Sequence, residues 1–308
     1  MFPPVAKEKE MTMETTTDLK DISDAIEAQA CASCDASAPD AADNASAATT
    51  PAPPSWIYAI GTIEVRFPSL ALEKEYAQLL GRGQASGLTD RQALQAVIAK
   101  PENRYLTRQL CWVMSIEGLE TYILYPRDAA DLTQLIEAVR PNPSGSDLDV
   151  VIGQKGPVAP PSVCNGLTIP TVAFDQIYSF DREALIKSIP KPDQISVEEF
   201  APAASELLDR ILFMADNAGA TDEHRALNYL TMRYPAVYAT AAAAFGRNAA
   251  LDGVTVNPSS LAGARDIVEV IFSFRDRTTD VVEKSFTRVD VTEEFPFLVT
   301  KMSPYFDR

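Results

Sequence analysis

The composition changes abruptly just before Trp56, and that break decides how much of the chain can build a core. Residues 1–54 hold 13 Ala, ten acidic residues against three Lys, no Trp or Tyr and only Phe2, and they close on the run Pro51, Ala52, Pro53, Pro54. Such a stretch cannot bury enough apolar surface to offset its conformational entropy, so it is expected to be a disordered acidic arm. Within it, residues 16–30 place Leu19, Ile22 and Ile26 at helical spacing, giving either a transient helix or one that docks on a partner. The other 254 of the 308 residues must carry the fold, and a chain that is 46% hydrophobic can supply their core.

Beyond the break the pattern is mixed. Residues 56–65 (WIYAIGTIEV) are aromatic and β-branched, which reads as a strand. Residues 69–80 read as a helix, and a second helix starts at the Thr89-Asp90 cap with Leu94, Val97 and Ile98 on one face. The runs LCWVMSI (110–116) and LETYILY (119–125) flank Glu117-Gly118, a spacing that predicts a tight hairpin. A helix is expected over 128–139, capped by Asp128 and ended before Pro141. Short strands follow at 148–152 and 167–174. The two prolines of KSIPKPDQ (187–194) mark the best boundary, after which 197–217 and 221–245 read as helices, the second interrupted near Pro235. Strands at 266–274 and 281–291 close the chain across a polar turn.

The expected class is α+β: a mixed N-terminal lobe with a hairpin over 55–186, a proline-containing linker over 187–196, and a C-terminal lobe of helices plus an antiparallel β-hairpin over 197–308. No internal repeat is evident.

With 43 acidic against 27 basic residues the net charge is -16. No run of Lys and Arg is present to neutralise phosphates or an anionic bilayer, which argues against nucleic acid and membrane as partners. No stretch approaches the roughly 18 consecutive apolar residues of a spanning helix, and no apolar signal core follows the first lysines, so a cytoplasmic location is expected.

Chemistry is constrained by a single histidine, His224. Ser-His-Asp and Cys-His catalysis, HExxH proteases and His-rich zinc sites all need imidazole that the chain scarcely has. His224 itself falls in the first turn of the helix TDEHRALNY, beside Asp222 and Glu223, where a polar surface residue is expected. Cys31 and Cys34 form a CxxC, the spacing at which two thiolates can share a zinc, but a closed site needs two more ligands. The pair reads as an incidental one in the acidic arm, and neither metal nor cofactor is expected.

Cys111, in the apolar run LCWVM, reads as a small buried hydrophobe, and Cys164, in PPSVCNGL, as an exposed loop residue with no base beside it. GRGQASG (81–87) is glycine-rich but follows a helix and lacks a phosphate-loop lysine. Arg225, Asn228 and Tyr229 share one face of the 221–233 segment. They are the candidate residues for holding a peptide or partner, or alternatively cross-links to the rest of the core.

The order of segments resembles a known family. Trp56 to Ile63 (WIYAIGTI), Tyr105 to Tyr125 with Pro126, Glu223 to Tyr229 (EHRALNY) and Phe286 to Val291 (FTRVDV) follow one another as do the motifs of a C-terminal domain of unknown function. That domain occurs in PatA and PatG, the subtilisin-like proteases of cyanobactin maturation. The resemblance covers residues 56–300. It departs at 257–266 (NPSSLAGARD), which has no Cys where the family carries a Cys-containing stretch, so no metal role is carried over.

The region is expected to be a free-standing copy, without the protease domain. The resemblance implies a non-catalytic accessory protein in the maturation of a ribosomally synthesised, modified peptide, with a precursor peptide or maturation enzymes as partners. A peptide-modifying enzyme using carboxylates with His224 or Cys164, and a homodimerising structural module, are the alternatives.

Overall fold

Glu117 and Gly118 adopt φ of 51° and 77°, so both central residues of the turn are left-handed. That is the type I′ geometry whose twist matches paired strands. It joins the strands β2 (Cys111–Ile116) and β3 (Leu119–Pro126) at the predicted place. In the computed structural model, the residues described are 54–81, 87–191, 196–214 and 216–306. The acidic arm with its CxxC, most of GRGQASG, and part of KSIPKPDQ lie outside them.

The N-terminal elements begin with β1 (Ser55–Arg66), α1 (Leu70–Leu80), α2 (Asp90–Ile98) and the short α3 (Arg104–Thr107), all ahead of the hairpin. Ser69 caps α1 by accepting from the Leu72 amide, and Thr89 and Gln92 form a capping box on α2. After β3 come α4 (Leu132–Ala138), β4 (Asp147–Val158) and β5 (Pro170–Asp181). Asp128 does not cap α4: its amide donates to Asp131 Oδ2 in a turn, and the helix starts at Leu132 rather than at 128.

These five strands close into a barrel in the order β1-β2-β3-β5-β4, with β3 and β5 parallel and every other pair antiparallel. This order, with a helix between the third and fourth strands, is the arrangement of an OB-fold barrel. β1 serves two partners: Ser55 to Gly61 pair with β4, and Thr62 to Arg66 with β2. Gly61 sits at the changeover, where a Cβ would lie 2.3 Å from the Ser115 carbonyl oxygen. Just past it the Ile63 amide donates to the buried carboxylate of Asp149 at 3.0 Å. Burial pushes the Asp149 pKa up, opposed by the Ser179 hydroxyl and Arg140.

Alternating residues of the strands, among them Ile57, Ile63, Trp112, Met114, Leu124 and Phe174, fill the barrel with help from α2 and α4.

The chain continues through α5 (Arg182–Ser188), α6 (Val197–Leu212), α7 (Asp222–Arg233) and α8 (Ala236–Gly246). Pro235 separates the last two, as expected. The closing sheet contains the expected hairpin and extends it on both sides. β7 (Ile267–Asp276) and β8 (Val282–Asp290) form its middle pair, flanked by β6 (Ala249–Pro258) and β9 (Phe297–Pro304) in an antiparallel order of 6-7-8-9. The outer strands escaped notice because β6 is bulged between Leu251 and Gly253 and β9 slips register against β8 twice, which blurs the period-two pattern.

The inner face of this sheet (Val268, Val270, Phe272, Phe274, Val289) packs on α6, α7 and α8. The fold is α+β. No helix among the described residues is long and apolar enough to cross a membrane.

Candidate functional site

The residues singled out on α7 converge on the seam between barrel and C-terminal lobe. Thr221 caps the helix through the His224 amide at 3.2 Å, which orients its first turns against the barrel. Asn228 is fully buried. Its Nδ2 donates to the Tyr58 carbonyl of β1 at 2.8 Å and to Asn217 Oδ1 at 3.1 Å, while its Oδ1 accepts from Asn217 Nδ2 at 2.8 Å.

The same loop docks twice more. The Tyr58 amide donates to the Gly219 carbonyl at 2.8 Å, and the Tyr122 hydroxyl to the Ala218 carbonyl at 2.8 Å. Burial pushes Tyr122 up to about 12, so it remains a donor. Gly219 has φ of 71°, and a Cβ there would lie 2.3 Å from the Tyr58 carbonyl oxygen.

Arg225 is also buried and reaches the segment that follows β8. It donates to the Val291 carbonyl at 2.6 Å and to the Glu293 carbonyl, and reaches Glu294 O at 3.4 Å. Tyr229 is half-buried and meets Tyr58 edge-on, with ring centroids 6.4 Å apart. Of the three candidates, Asn228 and the two terminal nitrogens of Arg225 are thus committed inside the protein, Arg225 Nε is enclosed without a partner, and Tyr229 alone retains exposed surface. His224 is half-buried with Nδ1 enclosed and unpartnered, and burial lowers its pKa.

By gripping the 291–294 backbone, Arg225 sets Glu294 against the barrel. There Arg127, following β3, pairs with Asp175 of β5 at 2.7 Å and with Glu294 at 3.5 Å, and its guanidinium lies 6.0 Å from the Trp56 ring centroid. Loss of solvent, then the adjacent Asp175 carboxylate, raise the Glu294 pKa to about 7, and Arg127 only partly offsets them. A carboxyl raised this far can take up and release a proton near neutrality, which is acid-base capacity. Sequence reasoning missed this cluster because its members are far apart in the chain and none belongs to a motif.

The cysteines are arranged differently from expectation. Cys111 and Cys164 form a disulfide with a Cα–Cα distance of 5.6 Å, and Cys164 is buried. Neither is the isolated thiol that the sequence suggested, because the β4–β5 loop folds over β2 and brings together residues 53 positions apart. Cys31 and Cys34 lie outside the described residues. Among the described residues, no group of three His, Cys, Asp or Glu is placed to hold a metal ion.

The closing sheet also offers surface. β9 lies at its edge, with Phe297 and Val299 exposed and Phe295 exposed just before it. Farther along, the Met302 amide donates to the Tyr234 hydroxyl at 2.9 Å. The outward face of β8 carries Phe286 against Tyr305 and Arg288, which also pairs with Glu269 at 2.6 Å. A separate cavity of about 460 Å³ lies between α1, α2 and β1, with the aromatic pair Phe67 and Tyr76 and the carboxylates Glu64, Glu73 and Asp90 on its walls.

Residues 194–305 match the family model described as PatG C-terminal. A solved structure titled "PatG Domain of Unknown Function" superposes with a TM-score of 0.66 at 19% identity, covering 82% of this chain and 98% of that one. No curated protein matches the chain. At that identity the structural match speaks for the fold, while the family model covers the helices and sheet of the C-terminal lobe. Residues 194–305 are thus similar to the PatG C-terminal family, and the barrel, helices and closing sheet have the fold of the solved PatG domain of unknown function.

Proposed function

We propose that the protein is a non-catalytic accessory in the maturation of a ribosomally synthesised, modified peptide, and that it holds a precursor peptide or a maturation enzyme. The observation that carries this reading is the edge of β9. An extended peptide can add to a sheet edge through main-chain hydrogen bonds, with pockets for alternate side chains giving selectivity. Phe297 and Val299 are exposed on β9, beside Phe295, and Lys301 follows them. The burial of Arg225 and Asn228 moves the binding surface away from α7.

The cytoplasm is the expected place for such work, and there a disulfide such as Cys111–Cys164 would be reversible rather than permanent. The test is a pull-down with the full chain against the precursor peptide and maturation enzymes encoded beside it, repeated with Val299→Pro. Association that the proline weakens at least tenfold supports the reading. No association with any of them sinks it.

A second reading, a peptide-modifying enzyme, is favoured by the Asp175–Glu294 pair. It predicts that converting a precursor in vitro requires this protein and that Glu294→Gln abolishes the conversion. A homodimer formed edge to edge through β9 would appear in light scattering as a doubled mass that Val299→Pro halves.

A further inference from the structure

In a barrel of this strand order, the outward face of β2 and β3, bordered by the β1–β2 and β4–β5 connections, is where OB-fold proteins hold their ligands. Here that face is closed. Cys111 and Val113 of β2 and Ile123 of β3 point outward into a small apolar cluster, and residues 159–169 lie over them through Ala159, Val163, Leu167 and Ile169. Val113 and Ile123 are fully buried as a result.

The covering loop is tied to itself rather than to the face beneath it. The Ala159 amide donates to the Ile169 carbonyl at 2.9 Å, Val163 to Pro160 at 3.0 Å and Gly166 to Val163 at 3.1 Å, all within the loop. What joins it to β2 is apolar contact and one covalent bond, Cys111–Cys164.

Around that bond the backbone takes an unfavourable path. Cys164, Asn165 and Gly166 have φ of 49°, 56° and 91°, three successive left-handed residues of which only one is glycine. L-residues resist that region, so the conformation persists only where the surroundings impose it. A cavity of about 460 Å³ is lined by Cys164 together with Arg66, Phe67, Asn165 and Gly166, so the residue at the bond borders open space.

We propose that Cys111–Cys164 is a reversible redox latch that holds the β4–β5 loop shut over the outward face of β2 and β3, and that a dithiol reductant opens it. The reductant's thiolate attacks the Cys164 sulfur, breaking the disulfide and releasing Cys111 as a thiolate that takes up a proton. The reductant's second thiol then displaces the Cys164 sulfur from the mixed disulfide. Two cysteine thiols form, the dithiol becomes a disulfide, and two electrons pass to the protein. Freed of its tie, the loop relaxes from its left-handed turn and uncovers Val113 and Ile123.

The experiment uses the full chain carrying Cys31→Ser and Cys34→Ser, so that the only thiols are the two in question. Maleimide mass labelling of the denatured protein is expected to find no thiols before dithiothreitol and two after it. Hydrogen exchange followed by mass spectrometry is expected to show amides in 159–169 exchanging at least tenfold faster after reduction, with β1 unchanged. Cys164→Ser should give the same loop exposure without reductant, and if that variant does not fold, the reduced parent alone decides. The proposal is overturned by two reactive thiols before reduction, by loop protection that survives complete reduction, or by exchange rising in β1 as much as in the loop. The last result would make the bond a staple for the whole barrel.

Discussion

Replacing Asn228 with alanine tests the central claim that the polar face of α7 fastens the two lobes together. The side chain is fully buried, and its amide makes three hydrogen bonds at 2.8, 3.1 and 2.8 Å, one to β1 and two with Asn217. Alanine removes all three and leaves the Tyr58 carbonyl and Asn217 Oδ1 without these donors, while Asn217 Nδ2 keeps only the Ile211 carbonyl at 3.4 Å. A buried polar group left unsatisfied costs about 1–3 kcal/mol.

Two such acceptors, with a small cavity added, give an expected loss of about 3–5 kcal/mol. That is a large share of the roughly 5–15 kcal/mol that holds a typical domain. Urea unfolding followed by far-ultraviolet circular dichroism should show the midpoint falling with an unchanged slope, and the melting temperature should drop by about 10 °C. Asn228→Asp, which keeps the acceptor and loses the donors, should be nearly as damaging. A loss below about 1 kcal/mol for Asn228→Ala would refute the reasoning and return Asn228 to the list of residues free to meet a partner.

Three other predictions follow from single sites. Glu294 is protonated more readily folded than unfolded, with a pKa raised from 4.5 to about 7, so its stabilising share is complete below about pH 4.5 and is lost as pH rises through 7. Glu294→Gln should therefore flatten the decline in urea midpoint between pH 5 and 8, and an unchanged slope would show that the carboxyl does not hold that proton. Gly219→Ala should cost more than about 3 kcal/mol by calorimetry, because the new Cβ would meet the Tyr58 carbonyl oxygen at 2.3 Å with φ at 71°; a near-neutral variant would mean the loop does not sit tightly on β1. Glu117→Asn should stabilise by up to about 1 kcal/mol, since Asn tolerates the φ of 51° that the hairpin turn requires. A lower melting temperature would speak against that turn.

How far the site could be read in advance differs residue by residue. Arg225, Asn228 and Tyr229 stood out as polar residues on one face of a helix whose apolar side is Ala226, Leu227 and Leu230, and the structure makes that face a junction. Periodicity shows that such a face exists but not whether water or another element lies against it. The signal that could have settled Asn228 was its proximity to the Asn217 and Gly219 turn, which has to return close to the helix. The Arg127, Asp175 and Glu294 cluster left no signal, since its members come from the loop that follows β3, from β5 and from the β8–β9 connection.

What the sequence determined by itself is local: the caps at Ser69 and Thr89, the Glu117-Gly118 turn, the break at Pro235 and the paired runs that became β7 and β8. Each depends on residues within about four positions, where backbone sterics and near-neighbour hydrogen bonds decide the outcome. The tertiary structure alone decided barrel closure, which pairs the start of β1 with β4 and runs β3 beside β5. It also decided the Cys111–Cys164 bond across 53 residues and the burial of Asn228 against a strand 170 residues away. Those pairings bring together segments that share no local pattern. Their free energy comes from apolar surface removed from water and from polar groups satisfied across the seam, quantities that exist only once the chain has folded back on itself.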